Sequence, residues 1–286
     1  MTNLSLVSVY IPSYNHEKYV SDSIKSVLNQ TYKNIELIVI DDGSKDNSVS
    51  IIKNLADKYG FKFIHRPNKG LCATINQAIN LANGKYICGC ASDDVLRLDS
   101  IEKRVEFMEK NPNYAMVYGE AIYLRDDDKQ IYITKNAKKS GFIFDDLFRS
   151  NFIPAGSVMV RKEVFESIGK YDENLKIEDY DMWLRIADKF QIGYINEILY
   201  YYRPHENQIS NKTFLMYENE KQIFYKWQHK DCFKNIIKRH KLDWFNKLAK
   251  NHKKESLKNI SGAVLYNPFH KVFLKGLAKL LFYWGK

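Results

Sequence analysis

With 286 residues, 45% hydrophobic and 27% charged, the chain can bury a sizeable core; this excludes wholesale disorder and fits one large α/β domain with an appendage, or two modest domains. Four cysteines (Cys72, Cys88, Cys90 and Cys232) without a CxxC pair argue against a zinc site or disulfide framework and fit a reducing compartment. The net charge of +10 is uneven: residues 1–210 hold 27 Lys and Arg against 29 Asp and Glu, and residues 211–286 hold 17 against 5.

Along the chain, Leu6–Pro12 is a β-rich apolar run, and Glu17–Asn29 carries Val20, Ile24, Val27 and Leu28 at helical spacing. Ile35–Ile40 reads as a strand, Ser48–Tyr59 as a helix, Lys62–His65 as a strand, Leu71–Asn83 as a helix and Lys85–Cys90 as a strand. This βαβα rhythm, with strands apolar on both faces, predicts a parallel sheet covered by helices. Beyond it come a helix at Ser100–Lys110, a strand at Ala115–Leu124, an acidic turn at Asp126–Asp128 and short strands at Ile131–Thr134 and Ser157–Arg161. A helix at Glu178–Phe190 precedes two short strands, Gly193–Ile195 and Leu199–Arg203; from about residue 212 the chain reads as helical, with a break at Asn267-Pro268. No signal peptide is expected, because Met-Thr-Asn-Leu-Ser-Leu lacks a basic n-region, and no apolar run reaches the length of a membrane span.

Ligands in open α/β sheets sit beyond the carboxyl ends of the strands, and three predicted strand ends carry polar clusters: Pro12-Ser13-Tyr14-Asn15, Asp41-Asp42 and Ser92-Asp93-Asp94. Adjacent carboxylates such as Asp93 and Asp94 need a cation or donors to compensate them, and Mg²⁺ or Mn²⁺ joins carboxylates to phosphate oxygens. The same pair also reads as a helix cap. Asp42 can accept from a nucleobase N–H or a ribose hydroxyl, although Asp-Asp-Gly-Ser is equally good turn chemistry; Tyr14 can stack on a base or be an ordinary half-buried aromatic. Asp179 opens a helix, where the dipole favours an anion. A general base fits there, as does a capping acid, with Glu178 and Asp181 as competitors for the role. Arg203 suits a phosphate or a local ion pair, and His205 alone is as ordinary as any surface histidine.

The order of these pieces adds information that none holds alone. Val-Ser-Val-Tyr-Ile-Pro-Ser-Tyr-Asn at 7–15, Ser-Val-Leu-Asn-Gln-Thr-Tyr at 26–32 and Glu-Leu-Ile-Val-Ile-Asp-Asp-Gly-Ser at 36–44 resemble glycosyltransferase family 2. So do Asn-Lys-Gly at 68–70, Asn-Gln-Ala at 76–78, Ala-Ser-Asp-Asp at 91–94, Glu-Asp-Tyr-Asp-Met-Trp-Leu-Arg at 178–185 and Tyr-Arg-Pro-His at 202–205. The resemblance covers roughly residues 5–210.

It implies a GT-A fold: a Rossmann-like, mostly parallel sheet flanked by helices, with residues 1–97 as nucleotide half and 98–210 as acceptor half, followed by a basic helical extension at 211–286. It implies an inverting hexosyl- or N-acetylhexosaminyltransferase using a nucleotide-diphosphate sugar, by resemblance a UDP-sugar, and Mn²⁺ or Mg²⁺. Pro12, Tyr14, Asn15, Asp42, Lys69, Asn76, Asp93 and Arg203 would hold the nucleotide, Asp41 would support the turn, Asp93, Asp94 and His205 would hold the metal, and Asp179 would be the base. Ala91 stands where a full DxD motif has its first Asp, which leaves open which carboxylate ligates the metal. It also keeps alive a non-catalytic nucleotide- or glycan-binding relative.

The acceptor so implied is a growing surface glycan or a lipid-linked oligosaccharide, handled at the inner face of a bacterial cytoplasmic membrane. In the tail, Lys271, Lys275 and Lys279 share one helical face, while Phe273, Leu277, Leu280, Leu281 and Trp284 lie largely away from it. That pattern predicts an interfacial helix with its apolar face in anionic lipid; docking on the protein's own core or in a homodimer competes with it. No helix-turn-helix, RNP or zinc-finger signature supports a nucleic-acid partner.

Overall fold

The computed structural model describes residues 4–124, 130–133 (by their backbone), 138–206 and 208–282. The predicted acidic turn at Asp126–Asp128, Thr134 and Trp284 lie outside the described residues. In chain order the elements are β1 (Val7–Ser13), α1 (Val20–Leu28), β2 (Ile35–Asp41), α2 (Ser48–Tyr59), β3 (Lys62–His65), α3 (Leu71–Leu81), β4 (Tyr86–Gly89), β5 (Val95–Leu96), α4 (Ser100–Lys110), β6 (Tyr114–Leu124) and β7 (Gln130–Ile133). They continue with α5 (Phe144–Arg149), β8 (Met159–Arg161), α6 (Lys162–Ile168), α7 (Glu178–Lys189), β9 (Gln191–Tyr202), α8 (Thr213–Lys226), α9 (Phe233–Leu248), α10 (Lys253–Lys258), α11 (Ile260–Tyr266) and α12 (Lys271–Phe282).

Two compact units result. Residues up to Phe144 together with Phe152–His205 form the first, and Asp145–Asn151 with the chain after Glu206 form the second. The first is built on a single sheet in the order β3-β2-β1-β4-β8-β6-β9-β5, with β7 paired to β6. β3, β2, β1 and β4 run parallel, as do β6 and β9, whereas β8 is antiparallel to both its neighbours. Val7, Val9 and Ile11 of β1 are fully buried, and Leu37 and Val39 of β2 join Val20, Ile24 and Val27 of α1 and Ile52 of α2 in one apolar core. That burial is what the largely apolar runs of β1 and β2 require. Register then aligns the strand ends: Ser13 pairs with Asp41, and Asp41 with His65. The polar residues that follow these strands therefore emerge along one edge.

The expectation fails in instructive places. Gly193–Ile195 and Leu199–Arg203 are not separate strands but parts of the continuous β9. The polar Asn196-Glu197 pair between them resembles a turn, but the ladder to β6 absorbs it with register shifts around Glu120. β5, only two residues long, and the short helices α5 and α6 carry too little periodicity to be read from sequence.

In the second unit, α9 is the central helix. Phe148 of α5 packs against Phe224 of α8 at 5.1 Å between ring centroids, and its carbonyl oxygen is 2.8 Å from Nε2 of the buried His240. Leu242 and Phe245 of α9 meet Ala263 of α11 and Phe273 of α12. Among the described residues no helix is long and apolar enough to cross a membrane.

Burial lowers His240 from 6.5 to about 4; the Phe148 carbonyl and Asp243 oppose this, and Lys247 and Arg239 reinforce it. The unfolded chain takes up a proton below about 6.5, whereas the folded chain resists until about 4. Stability from this group is therefore present above that window and is lost as pH falls through it, by up to roughly 3 kcal/mol. Thermal denaturation between pH 7 and pH 4 should show a steep loss that becomes shallower in His240→Leu; equal pH slopes would contradict this placement.

Candidate active site

The loops after β1, β2 and β4 are knitted together by hydrogen bonds. The Asp42 amide donates to the Ser13 carbonyl (2.8 Å), the Asn15 amide donates to Ser44 Oγ (2.8 Å), and Asn15 Oδ1 accepts from the Lys45 amide (2.8 Å). Asn15 does this from the left-handed region, φ 56°, which asparagine tolerates better than most side chains. The third loop joins through His16 Nδ1, 2.7 Å from Ser92 Oγ. Gly43 also has a positive φ, 81°, and a Cβ there would lie 2.8 Å from the Asn68 amide nitrogen, so only glycine lets the β2 loop lie this close to the segment after β3.

The clustered carboxylates divide by partner. Asp41, fully buried, accepts from the Gly43 and Ser44 amides (3.1 and 2.8 Å) and from Ser44 Oγ (2.6 Å), with His65 Nδ1 at 3.0 Å. Asp42 pairs with Arg66 Nη1 and accepts from the amides of Lys69 and Gly70, each at 2.8 Å. Asp94 accepts from the Arg203 amide at 2.9 Å. Burial first, and then Asp93, push its carboxyl well above the usual carboxylate range, while Arg203 pulls the other way. Asp93 Oδ2 is 2.9 Å from His205 Nε2.

His16, Asp93 and His205 form a group whose ligand-type atoms all lie within 4.8 Å of one another. Burial lowers the His16 pKa, and His205 adds to this against the pull of Asp93 and Asp46, so His16 keeps the neutral form that a metal ligand needs. The Ser92 contact at Nδ1 fixes the ring and leaves Nε2 as its other nitrogen. His205 is steadied by Tyr19, stacked at 5.6 Å with an interplanar angle of 23°, and the Arg203 guanidinium lies 5.9 Å from the same tyrosine ring.

Of the residues expected at a metal, Asp93 and His205 lie together, Asp94 faces the Arg203 amide, and His16 lies beside the first two. Tyr14 is 44% exposed at the tip of the β1 loop and Pro12 is half-buried behind it. Lys69 holds Asp42 through its backbone with an exposed side chain. The side-chain amide of Asn76 grips the Tyr171 backbone through both Nδ2 and Oδ1 (2.9 Å each) and reaches Glu173 Oε1 at 2.9 Å. Arg203 Nη2 reaches Asp22 at 3.3 Å. Residues missed by sequence reasoning are His16, directly after the Ser-Tyr-Asn loop, and Arg66, a basic residue just past β3. Their place after strand ends is the signal that could have found them.

Asp179 and Glu178 open α7. Both influence Tyr10 of β1, which bonds Tyr171, and Asp179 and Asp94 both act on Tyr200 of β9; the acidic helix start therefore borders the same region. Burial, and then the Asp179 charge, push Glu178 up to about 8. Asp181, the other acidic residue of the first turn, is buried and pairs with Arg185 at 3.0 Å.

The family model for glycosyl transferase family 2 matches residues 8–169. The chain belongs to that family. A Haemophilus influenzae protein described as an uncharacterized glycosyltransferase is 36% identical over 184 residues, which is 64% of this chain and 72% of the relative. The solved structure of S. aureus TarS with UDP-GlcNAc superposes with a TM-score of 0.66 at 17% identity, covering 96% of this chain and 89% of that one. The mannosyltransferase PcManGT from Pyrobaculum calidifontis, with GDP-Man and Mn²⁺, gives a TM-score of 0.66 at 13% identity, covering 98% and 88%. This glycosyltransferase accordingly has the GT-A fold with an additional helical C-terminal region.

The Arg66–Asp42 pair is nearly buried, with 10% and 6% of the two side chains exposed. Removing one partner of such a pair leaves an uncompensated charge. Asp42→Ala should lower stability by about 3–5 kcal/mol in denaturant titration, even with no nucleotide added; a loss under about 1 kcal/mol would mean that the pair is not buried as described.

Proposed function

We propose that this chain transfers a hexosyl or N-acetylhexosaminyl group, with inversion, from a UDP-type nucleotide sugar to a hydroxyl of a growing surface glycan or lipid-linked oligosaccharide. The observation that carries the reading is the His16–Asp93–His205 group beside three loop tips at the carboxyl edge of parallel strands. The ligands named for the TarS and PcManGT structures, UDP-GlcNAc in one and GDP-Man with Mn²⁺ in the other, support a nucleotide-sugar donor and a metal.

The three side chains fit a divalent cation: two imidazoles and one carboxylate, with Ser92 behind one ring. Imidazole suits Mn²⁺ better than Mg²⁺, which prefers oxygen and water. When bound there, the cation supplies Lewis-acid stabilisation of the negative charge that develops on the departing diphosphate. Tyr14 offers an exposed face for the base, and Asp42 Oδ2, which accepts one hydrogen bond among the described residues, keeps a lone pair for a nucleoside N–H. Burial and the neighbouring Asp179 charge favour the protonated form of Glu178, and Asp179 stands at the α7 N-terminus, where the helix dipole favours an anion. Asp179 takes the proton of the acceptor hydroxyl; that oxygen bonds to the anomeric carbon on the face opposite the diphosphate, the glycosidic bond to phosphate breaks, and configuration inverts.

Asp179→Asn should lower transfer by roughly a thousandfold or more while leaving donor binding largely intact, whereas Glu178→Gln, already neutral in function, should keep activity within about tenfold. Product analysis by NMR with a panel of nucleotide sugars checks both the rates and the anomeric outcome; full activity in Asp179→Asn would remove it as the base. Calorimetric titration should show Mn²⁺ bound more tightly than Mg²⁺, with His16→Asn weakening Mn²⁺ by about tenfold or more. Unchanged Mn²⁺ affinity in that variant would take His16 out of the site.

A further inference from the structure

Three of the α12 residues expected to face lipid, Phe273, Leu277 and Leu280, are turned inward, whereas Leu281 is exposed. Phe273 stacks on Phe245 at 5.3 Å, Gly276 lies against the same ring, and Leu277 and Leu280 pack on this cluster. Lys279, expected beside Lys271 and Lys275, bends to the Asn246 carbonyl at 3.2 Å. Helix periodicity correctly finds an apolar face here, and the second unit's own core fills it.

The opposite side of α12 is nevertheless not polar. Leu274, Ala278 and Leu281 recur at the i, i+4 and i+7 spacing that makes one strip on a helix. Leu274 is 52% exposed and Leu281 59%, and Ala278 between them is exposed as well. Phe269, just before the helix, is 86% exposed, and Phe282 at its end 80%. Lys271 and Lys275 are exposed beside the strip. Internal packing cannot account for a second apolar strip once the first fills the core.

Charge identifies the occupant. Residues 211–286 carry 17 basic against 5 acidic side chains, so a second copy would bring like charge to like charge, whereas an anionic bilayer brings the opposite sign. No described helix can cross a membrane, which leaves a helix lying in the interfacial plane. We propose that α12 docks on anionic phospholipid through the Leu274–Ala278–Leu281 strip, with Phe269 and Phe282 as end anchors and Lys271 and Lys275 at the headgroups.

Vesicle flotation of the full chain reads this surface without donor or acceptor, so it stands or falls apart from the transferase reading. The protein should float with vesicles of mixed phosphatidylcholine and phosphatidylglycerol and stay down with phosphatidylcholine alone. L274D/L281D should weaken binding by roughly tenfold or more, with melting temperature unchanged because both side chains are exposed. K271Q/K275Q, which alters no packed residue, should weaken binding to mixed vesicles by about tenfold or more. Equal flotation with neutral vesicles, or unaltered binding in both variants, would overturn the proposal. So would a wild-type dimer that ignores vesicles and dissociates in L274D/L281D, since that would make a second copy the occupant.

Discussion

Gathering carboxylates at one sheet edge is the constraint on which the rest of the first unit depends. Asp41, Asp42, Asp93 and Asp94 are all buried or nearly so, and ionised carboxylates taken from water need compensation close at hand. The chain supplies it from different sources. Backbone amides of the Gly43–Ser44 turn serve Asp41, Arg66 and two amides serve Asp42, and the Arg203 amide serves Asp94. The amide partners of Asp41 are local, but those of Asp42 and Asp94 belong to another loop or strand end, so compensating these two also fixes the loops relative to one another. Asp93 differs in facing two imidazoles, partners that can turn a lone pair toward a cation. The division between carboxylates held by amides and arginine and the one that faces two imidazoles is therefore electrostatic in origin.

Much of this architecture is legible in the sequence because it follows from burial. Strands covered on both faces read as nearly continuous apolar runs, as Ile35–Ile40 does, and the polar clusters that end them must share an edge once the strands are parallel. What is not legible depends on partner choice. Nothing in Asp-Asp at 93–94 says that the first will face His205 and the second the Arg203 amide, because a one-residue step at a loop tip reverses direction without changing composition. Asn76 shows the same limit: its amide serves the Tyr171 backbone, a segment nearly a hundred residues away. His16 escaped notice for the opposite reason, since a lone histidine carries no pattern until the fold brings Asp93 and His205 to it.

The second unit teaches a complementary lesson about amphipathic helices. Periodicity in Lys271–Phe282 separates apolar from basic positions, yet the helix has two apolar strips, and only tertiary contacts with Phe245 and Ala263 decide which of them is inside. Gly276 marks the inner strip, since a side chain there would meet the Phe245 ring. The outer strip gives the basic tail an apolar counterpart, which electrostatic attraction alone would lack.

The proposed donor site is one cation position, built from His16, Asp93 and His205, that organises the diphosphate beside the loops after β1, β2 and β4. A crystal structure of the protein with UDP and Mn²⁺, with the manganese located by its anomalous signal, tests it most directly. The account predicts a single manganese in contact with those three side chains and the diphosphate, with the base against Tyr14. Manganese held by Asp94 or Asp179 instead, or UDP seated away from these loops, would contradict it.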